Sequence, residues 1–251
     1  MRERLTILSV GAFFAFGAIA AFGIDAVTSR DERIAVAERE TRNIASLLAE
    51  QMRQLISATD QTLKAAMVVR NEWMLDLNRS SATGHRLLRA FEVRSDFVDR
   101  VVWTDRTGEI QAASDLEKFR DRSIADREHF RFHADRMGGG LYLGGPFLAR
   151  TDRRWVAAAT RRIETPDDEF QGVISAVINL SYLTRVLERY HASGLVNLSL
   201  FLRDGRYFAR YPEPAQRMGH GRSHGHLFRG ELPKAPSGTF HAGATSNGEP
   251  R

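Results

Sequence analysis

The chain has 251 residues, 36 Lys and Arg against 31 Asp and Glu for a formal net charge of +5, and no cysteine. With 43% apolar and 27% charged residues it has the composition of a folded protein. The basic residues are dispersed, with no run interleaved with aromatics to track a phosphate backbone, so nucleic acid is excluded as a partner. The lack of cysteine removes disulfides, thiolate metal sites and cysteine nucleophiles, and suits an oxidising compartment.

The chain opens on "MRER", followed by Leu5 to Ile24 without a charge and then Asp25. About 20 apolar residues are enough to cross a bilayer. Arg2 and Arg4 precede the run, which keeps the N-terminus cytoplasmic and sends the following chain to the periplasm. A cleaved signal peptide is the alternative, with Ala18-Ile19-Ala20 as its cleavage site. The run exceeds the usual signal core of about 7–15 residues, which favours an uncleaved anchor over residues 1–25.

A long stalk helix and a second helical stretch are expected over residues 29–95. Ser29 to Trp73 contains neither Pro nor Gly. Ile34, Ala37, Thr41, Ile44, Leu48, Leu55, Ala58, Thr62, Ala65 and Val69 recur at three-four spacing, broken by Gln51. Such a seam pairs with its twin in a homodimer or packs along its own domain; both readings stay open. "NRSSATG", Asn78 to Gly84, is a polar break before a helix from His85 to about Ser95.

Sheet signals follow. Val98, Val101, Val102 and Trp103 form a strand, "DRTG" turns the chain, and Ile110 to Ala113 return. "DREHFRFHAD", Asp126 to Asp135, is a short helix ended by "MGGG". "LYLGGPFLAR", "RWVAAATRRIE" and "GVISAVINLSYL" are three strands, Leu183 to His191 is a helix, and "LFLRDGRYFARYP" is a second hairpin. "SNGE" near the end has the look of a hairpin turn without its return strand, so the chain is expected to stop in mid-domain, as a truncated piece or a gene fragment.

This order resembles the double Cache sensor regions of bacterial transmembrane receptors, on the stretches "VVWTDRTGEIQAAS", "DREHFRFH", "LYLGGPFLARTDRRWVAAATRRI", "FQGVISAVINLSYL" and "LFLRDGRYFARYP". The resemblance implies an α+β fold: a transmembrane helix, a long stalk helix, and PAS-like antiparallel sheet modules. The membrane-distal module occupies 97–192, and a second, incomplete one runs from 195 to 251. It implies a small-molecule ligand, an inner-membrane location, and signalling to a histidine kinase, diguanylate cyclase or chemotaxis output. Many amino-acid-binding members carry an arginine and an aromatic pair in the short helix, then a strand-borne Tyr and Asp and a final Asp. Here Arg127 stands at the arginine position and His129-Phe130 at the aromatic pair. Phe147, Ala149 and Asn179 replace the later three. The anion-binding half is kept and the ammonium-binding half is missing, so the expected ligand is a carboxylate or other small anion.

The ligand-binding set expected from these readings is Arg127, His129, Phe130, Tyr142, Phe147, Arg154 and Asn179. Arg154 either points into the pocket or is a solvated turn charge beside Arg150 and Trp155; Tyr142 and Phe147 are core or pocket wall. His129 and His133 share a helix face at i, i+4 but lack a third metal ligand, so one is expected to line the cavity and the other to face solvent. His220, His224 and His226 lie on a Gly-rich loop with nothing to fix a metal geometry. Asp167 and Asp168 are turn residues, Ser175 and Ser181 lack a base, and "MGGGLYLGG" lacks the lysine of a phosphate loop. No cofactor and no catalysis are expected. The alternative function is a membrane-tethered structural or dimerisation module without a ligand.

Overall fold

The computed structural model describes residues 2–75, 80–90, 96–115, 123–136, 138, 140–191, 197–212, 221, 227–235 and 237–239; of residues 2–27, 31, 81 and 90 it describes the backbone. The chain divides into two compact units, Met1–Leu48 with Ser237–Arg251, and Ala49–Pro236.

Helix α1 spans Arg2–Leu75. The side chains of the apolar run Leu5–Ile24 lie outside the described residues. Among the described residues no helix is long and apolar enough to cross a membrane. In the first unit Arg42 on α1 donates to the Thr239 hydroxyl at 3.2 Å.

In the second unit, the expected stripe Leu55, Ala58, Thr62, Ala65 and Val69 is half-buried or exposed. The residues that α1 buries are Thr59, Leu63, Ala66 and Trp73, one step round the helix. The reason is the sheet: Trp73 packs on Trp103 with ring centroids 5.6 Å apart, and Asp60 takes a two-pronged contact from Arg161 at 2.5 and 3.0 Å. Those anchors fix which face turns inward.

The helix expected from His85 begins earlier, at Ser81, and α2 runs Ser81–Ala90. The Ser80 hydroxyl accepts from the Thr83 N–H at 3.2 Å, an N-cap inside what was read as a polar break. Gly84 lies within the helix because the sheet comes so close. A Cβ there would lie 2.9 Å from the Ala112 Cβ and 3.1 Å from the Trp103 ring.

The main sheet is antiparallel, in the order β2-β1-β6-β5-β3, with β4 also pairing β5. Its strands are β1 (Val98–Thr104), β2 (Ile110–Ala113), β3 (Tyr142–Leu143), β4 (Phe147–Leu148), β5 (Trp155–Glu164) and β6 (Phe170–Asn179). The stretch expected as one strand, "LYLGGPFLAR", is two short ones, because Gly144-Gly145-Pro146 interrupts it and Pro146 has no N–H to donate. The β1–β2 turn is held by Asp105, whose carboxylate accepts from the N–H groups of Thr107 and Glu109 at 2.9 and 3.0 Å.

Strand alternation gives the sheet two faces. Val101, Trp103, Ala157, Ala159, Ile163, Ile174, Ala176 and Ile178 are all buried and lie on the face that carries Trp103. Arg100, Val102, Val156, Ala158, Thr160, Ser175 and Val177 lie on the other, which receives helix α3 (Glu128–Ala134). Helix α4 (Leu180–His191) starts three residues earlier than expected because the Asn179 side chain accepts from the Ser181 N–H at 3.0 Å. Its Leu180, Leu183, Val186 and Leu187 are buried, and the β7 (Leu198–Phe201) and β8 (Tyr207–Tyr211) hairpin packs on it. A π-helical turn follows at Leu227–Glu231.

Candidate functional site

Helix α3 is docked on the sheet by its buried histidine. His133 hydrogen-bonds the Thr160 hydroxyl at 2.9 Å, while Arg162 donates to the His133 carbonyl and, at 3.2 Å, to the Asp168 carbonyl. The expectation that one histidine faces solvent is corrected: His129 is 4% exposed and His133 1%. At i, i+4 both belong to the stripe that lies on the sheet. Phe132, off that stripe, stacks on Tyr142 at 3.8 Å instead. Burial pushes both imidazoles down to about 4, and for His129 the nearby Arg127 charge adds to it, so both are neutral at pH 7.

Docking places the start of α3 over a cavity of about 90 Å³ between helix and sheet. Arg127 is the N-cap residue, in extended conformation at φ −78° and ψ 142°, and its guanidinium lies 4.7 Å from the centre of the Phe147 ring. Phe147 also stacks on His129, with centroids 5.5 Å apart. Arg127, His129 and Phe147 all line the cavity, so the structure brings these three expected residues together.

The other four do not line it. Phe130 is buried edge-on against Phe170 at 5.6 Å. Tyr142 donates to Glu128 at 2.7 Å on the outer side of α3, and burial with that contact pushes its hydroxyl up to about 12. Arg154 is engaged by Asp152 at 2.7 Å and Asp99 at 3.1 Å. Asn179 caps α4.

Sequence reasoning missed Arg100, Ser175 and Thr151 as cavity residues and left Arg150 as a turn charge; all four line it. Arg100 donates to the Thr151 hydroxyl at 3.3 Å, and Arg150 pairs with Asp126 and donates to the Ser123 carbonyl at 3.2 Å. The signal for Arg100 was its place in the strand: it shares a sheet face with Val102, so a charge there points at the interior. Three guanidiniums from three separate elements thus line one small cavity. Among the described residues lining it there is no carboxylate. The rest of the wall is apolar, from Val102, Ile110, Val156, Ala158 and Val177.

Outside the cavity, the first turn of α3 is gripped from the hairpin. Arg206 donates to both Glu128 oxygens at 2.9 Å and to Asp204 at 2.6 Å. That contact holds the Glu128 carboxyl at about 2, well below the ordinary carboxylate range. Gly145 makes room for it: a Cβ there would fall 2.0 Å from an Arg206 nitrogen. Among the described residues no group of three metal-ligating side chains occurs, and His220, His224 and His226 lie outside them.

No family model and no curated protein matches the chain. Solved structures do. The extracellular domain of a protein described as a histidine kinase, rpHK1S-Z16, is 26% identical at a TM-score of 0.60, over 80% of this chain and 86% of that one. The ligand-binding domain of the Pseudomonas aeruginosa amino acid chemoreceptor PctC, in complex with GABA, gives 0.55 at 13% identity, over 76% and 83%. That of the Campylobacter jejuni chemoreceptor Tlp3, in complex with L-norvaline, gives 0.52 at 13%, over 69% and 70%. The chain shares the fold of these receptor sensing domains, consistent with the Cache-type resemblance of its sequence. These structural relatives of the Cache-type region are sensing parts of receptors rather than catalytic domains.

Proposed function

We propose that this chain is the periplasmic ligand-sensing region of a membrane-anchored bacterial receptor, and that the cavity under α3 takes a small anion. The observation that carries the reading is the lining: Arg100, Arg127 and Arg150 contribute to about 90 Å³ of space with no carboxylate among the described lining residues. An α-amino acid needs an acid for its ammonium, whereas a carboxylate or similar anion is served by guanidinium forks alone. A cavity into which three arginines are gathered favours a sensor over a structural or dimerisation module that has no ligand.

Leu5–Ile24, with Arg2 and Arg4 before it, is the proposed inner-membrane anchor. The three-four seam of α1, where Ile34, Ala37 and Thr41 are exposed, supports pairing with a second copy. The ligand then acts by favouring one arrangement of paired helices over another, to the extent that its affinity differs between them. The membrane-distal module at 97–192 and the partial one from 195 are the proposed divisions.

The test is a thermal-shift screen of small carboxylates, phosphate, sulfate and nitrate. A ligand at a hundredfold excess over its Kd is expected to raise Tm by roughly 5–10 °C. Arg127→Ala is expected to abolish the shift. A screen whose shifts survive that substitution unchanged removes the site assignment.

A further inference from the structure

The floor of the cavity carries two polar groups that the protein itself does not satisfy. Ser175, on the central strand β6, is 2% exposed, and its hydroxyl has no hydrogen-bond partner among the described residues. The same holds for the Nε of Arg100 on the neighbouring strand β1, whose Nη2 reaches Thr151. Both residues line the cavity. Their register makes them diagonal neighbours, since Arg100 faces Val177 and Val102 faces Ser175. Diagonal pairs on one sheet face are within reach of each other through a long side chain. Buried donors without acceptors are rare in native structures and call for an explanation.

A ligand that accepts from both provides one. The cavity is then served from two layers. Arg127 comes from the helix layer, against Phe147, while Arg100 and Ser175 come from the sheet. Between them the wall is aliphatic, from Val102, Val156 and Val177. A volume of about 90 Å³ holds on the order of six to nine heavy atoms, at about 10–15 Å³ for each water-sized group. We propose that Arg100 and Ser175 form a second anion subsite, and that the ligand is a compact dianion, two carboxylates joined by a short aliphatic stem. This deepens, and rests on, the anion reading of the same cavity.

Isothermal titration of the full chain separates the two ideas by comparing succinate and malonate with butyrate and propionate, on wild type, Arg100→Gln, Ser175→Ala and Arg127→Ala. Each dicarboxylate is expected to bind at least tenfold more tightly than its monocarboxylate partner. Arg100→Gln and Ser175→Ala should each collapse that ratio, weakening the dicarboxylate more than its monocarboxylate partner. Ser175→Ala is nearly isosteric and keeps the test decisive if Arg100→Gln unfolds. If mono- and dicarboxylates bind alike, or if both floor variants weaken the two classes equally, the second subsite is overturned while the anion reading stands. If no carboxylate binds and phosphate, sulfate and nitrate also fail, both are overturned.

Discussion

The two sides of helix α3 handle arginine in opposite ways. On the outer side, the hollow beside the helix is lined by Asp126, Glu128 and Asp135 together with Arg131 and Arg136, and Arg206 reaches three carboxylate oxygens there. Beneath the helix, three arginines line the cavity and no described lining residue is acidic, although Arg150 reaches Asp126 outside that lining. A cation whose acceptors are all supplied by the chain holds the fold together. One that lines a cavity among aliphatic residues is, on the proposed function, placed to meet a ligand as well. Arg162 shows the first case at its most buried: 6% exposed, paired with Glu164 at 3.1 Å and bonded to two carbonyls.

The comparison breaks most visibly at Arg162. Arg162→Ala strands the end of α3 and the turn at Asp168, and is expected to cost about 3 kcal/mol in urea unfolding, because it removes one member of a buried network. A loss below about 1 kcal/mol would mean that α3 is held by other contacts.

The buried histidines come next. His129 and His133 are pushed down to about 4 in the folded chain, against an ordinary value of about 6.5. Between those values the unfolded chain binds more protons, so stability falls as pH drops from about 6.5 toward 4. His133→Asn should flatten that slope in denaturant titrations run across the window.

Arg206→Ala is expected to cost no more than about 1 kcal/mol, since the side chains of Arg206 and Glu128 are 29% and 50% exposed and solvent screens the pair. Glu128 is depressed to about 2, so its contribution is present above the ordinary carboxylate range and lost as pH falls through about 2. The variant should therefore show a shallower acid limb. The smallest change in stability is expected for Arg127→Ala, under about 1 kcal/mol for its contact with Phe147, although it abolishes binding. If Arg127→Ala destabilised the chain as much as Arg162→Ala, the division between fold-holding and ligand-facing cations would fall.

Much of the sheet was legible because alternation and turn chemistry are local. "DRTG" and "RDG" placed two hairpins, and the Trp155–Glu164 and Phe170–Asn179 strands follow their apolar runs. What local pattern did not determine was how elements meet. The inward stripe of α1 depends on Trp103 and Arg161, far away in sequence, and the rotation of α3 that buries both histidines depends on Thr160 and Arg162. The site divided the same way. Arg127 and His129 stand at motif positions on the short helix, and Phe147 at a later strand position where the motif has Tyr. Tyr142, Arg154 and Asn179 carry suitable chemistry but are occupied by Glu128, Asp99 with Asp152, and Ser181. Ser175 and Arg100 are single polar interruptions in apolar strands, visible in the sequence but without meaning until the register is known.

Strand β5 separates two environments with very little material. Ala158 touches the cavity, while Ala157 and Ala159, pointing the opposite way, are completely buried on the face of Trp103, next to Arg161 and its grip on Asp60 of α1. Three consecutive alanines make the partition about as thin as a sheet allows, one backbone with a methyl on either side. A membrane this slight has no soft side chains in which to absorb a push. On the proposed signalling role, strain imposed on the strand from the cavity would pass to the long helix through the Arg161 contact with Asp60.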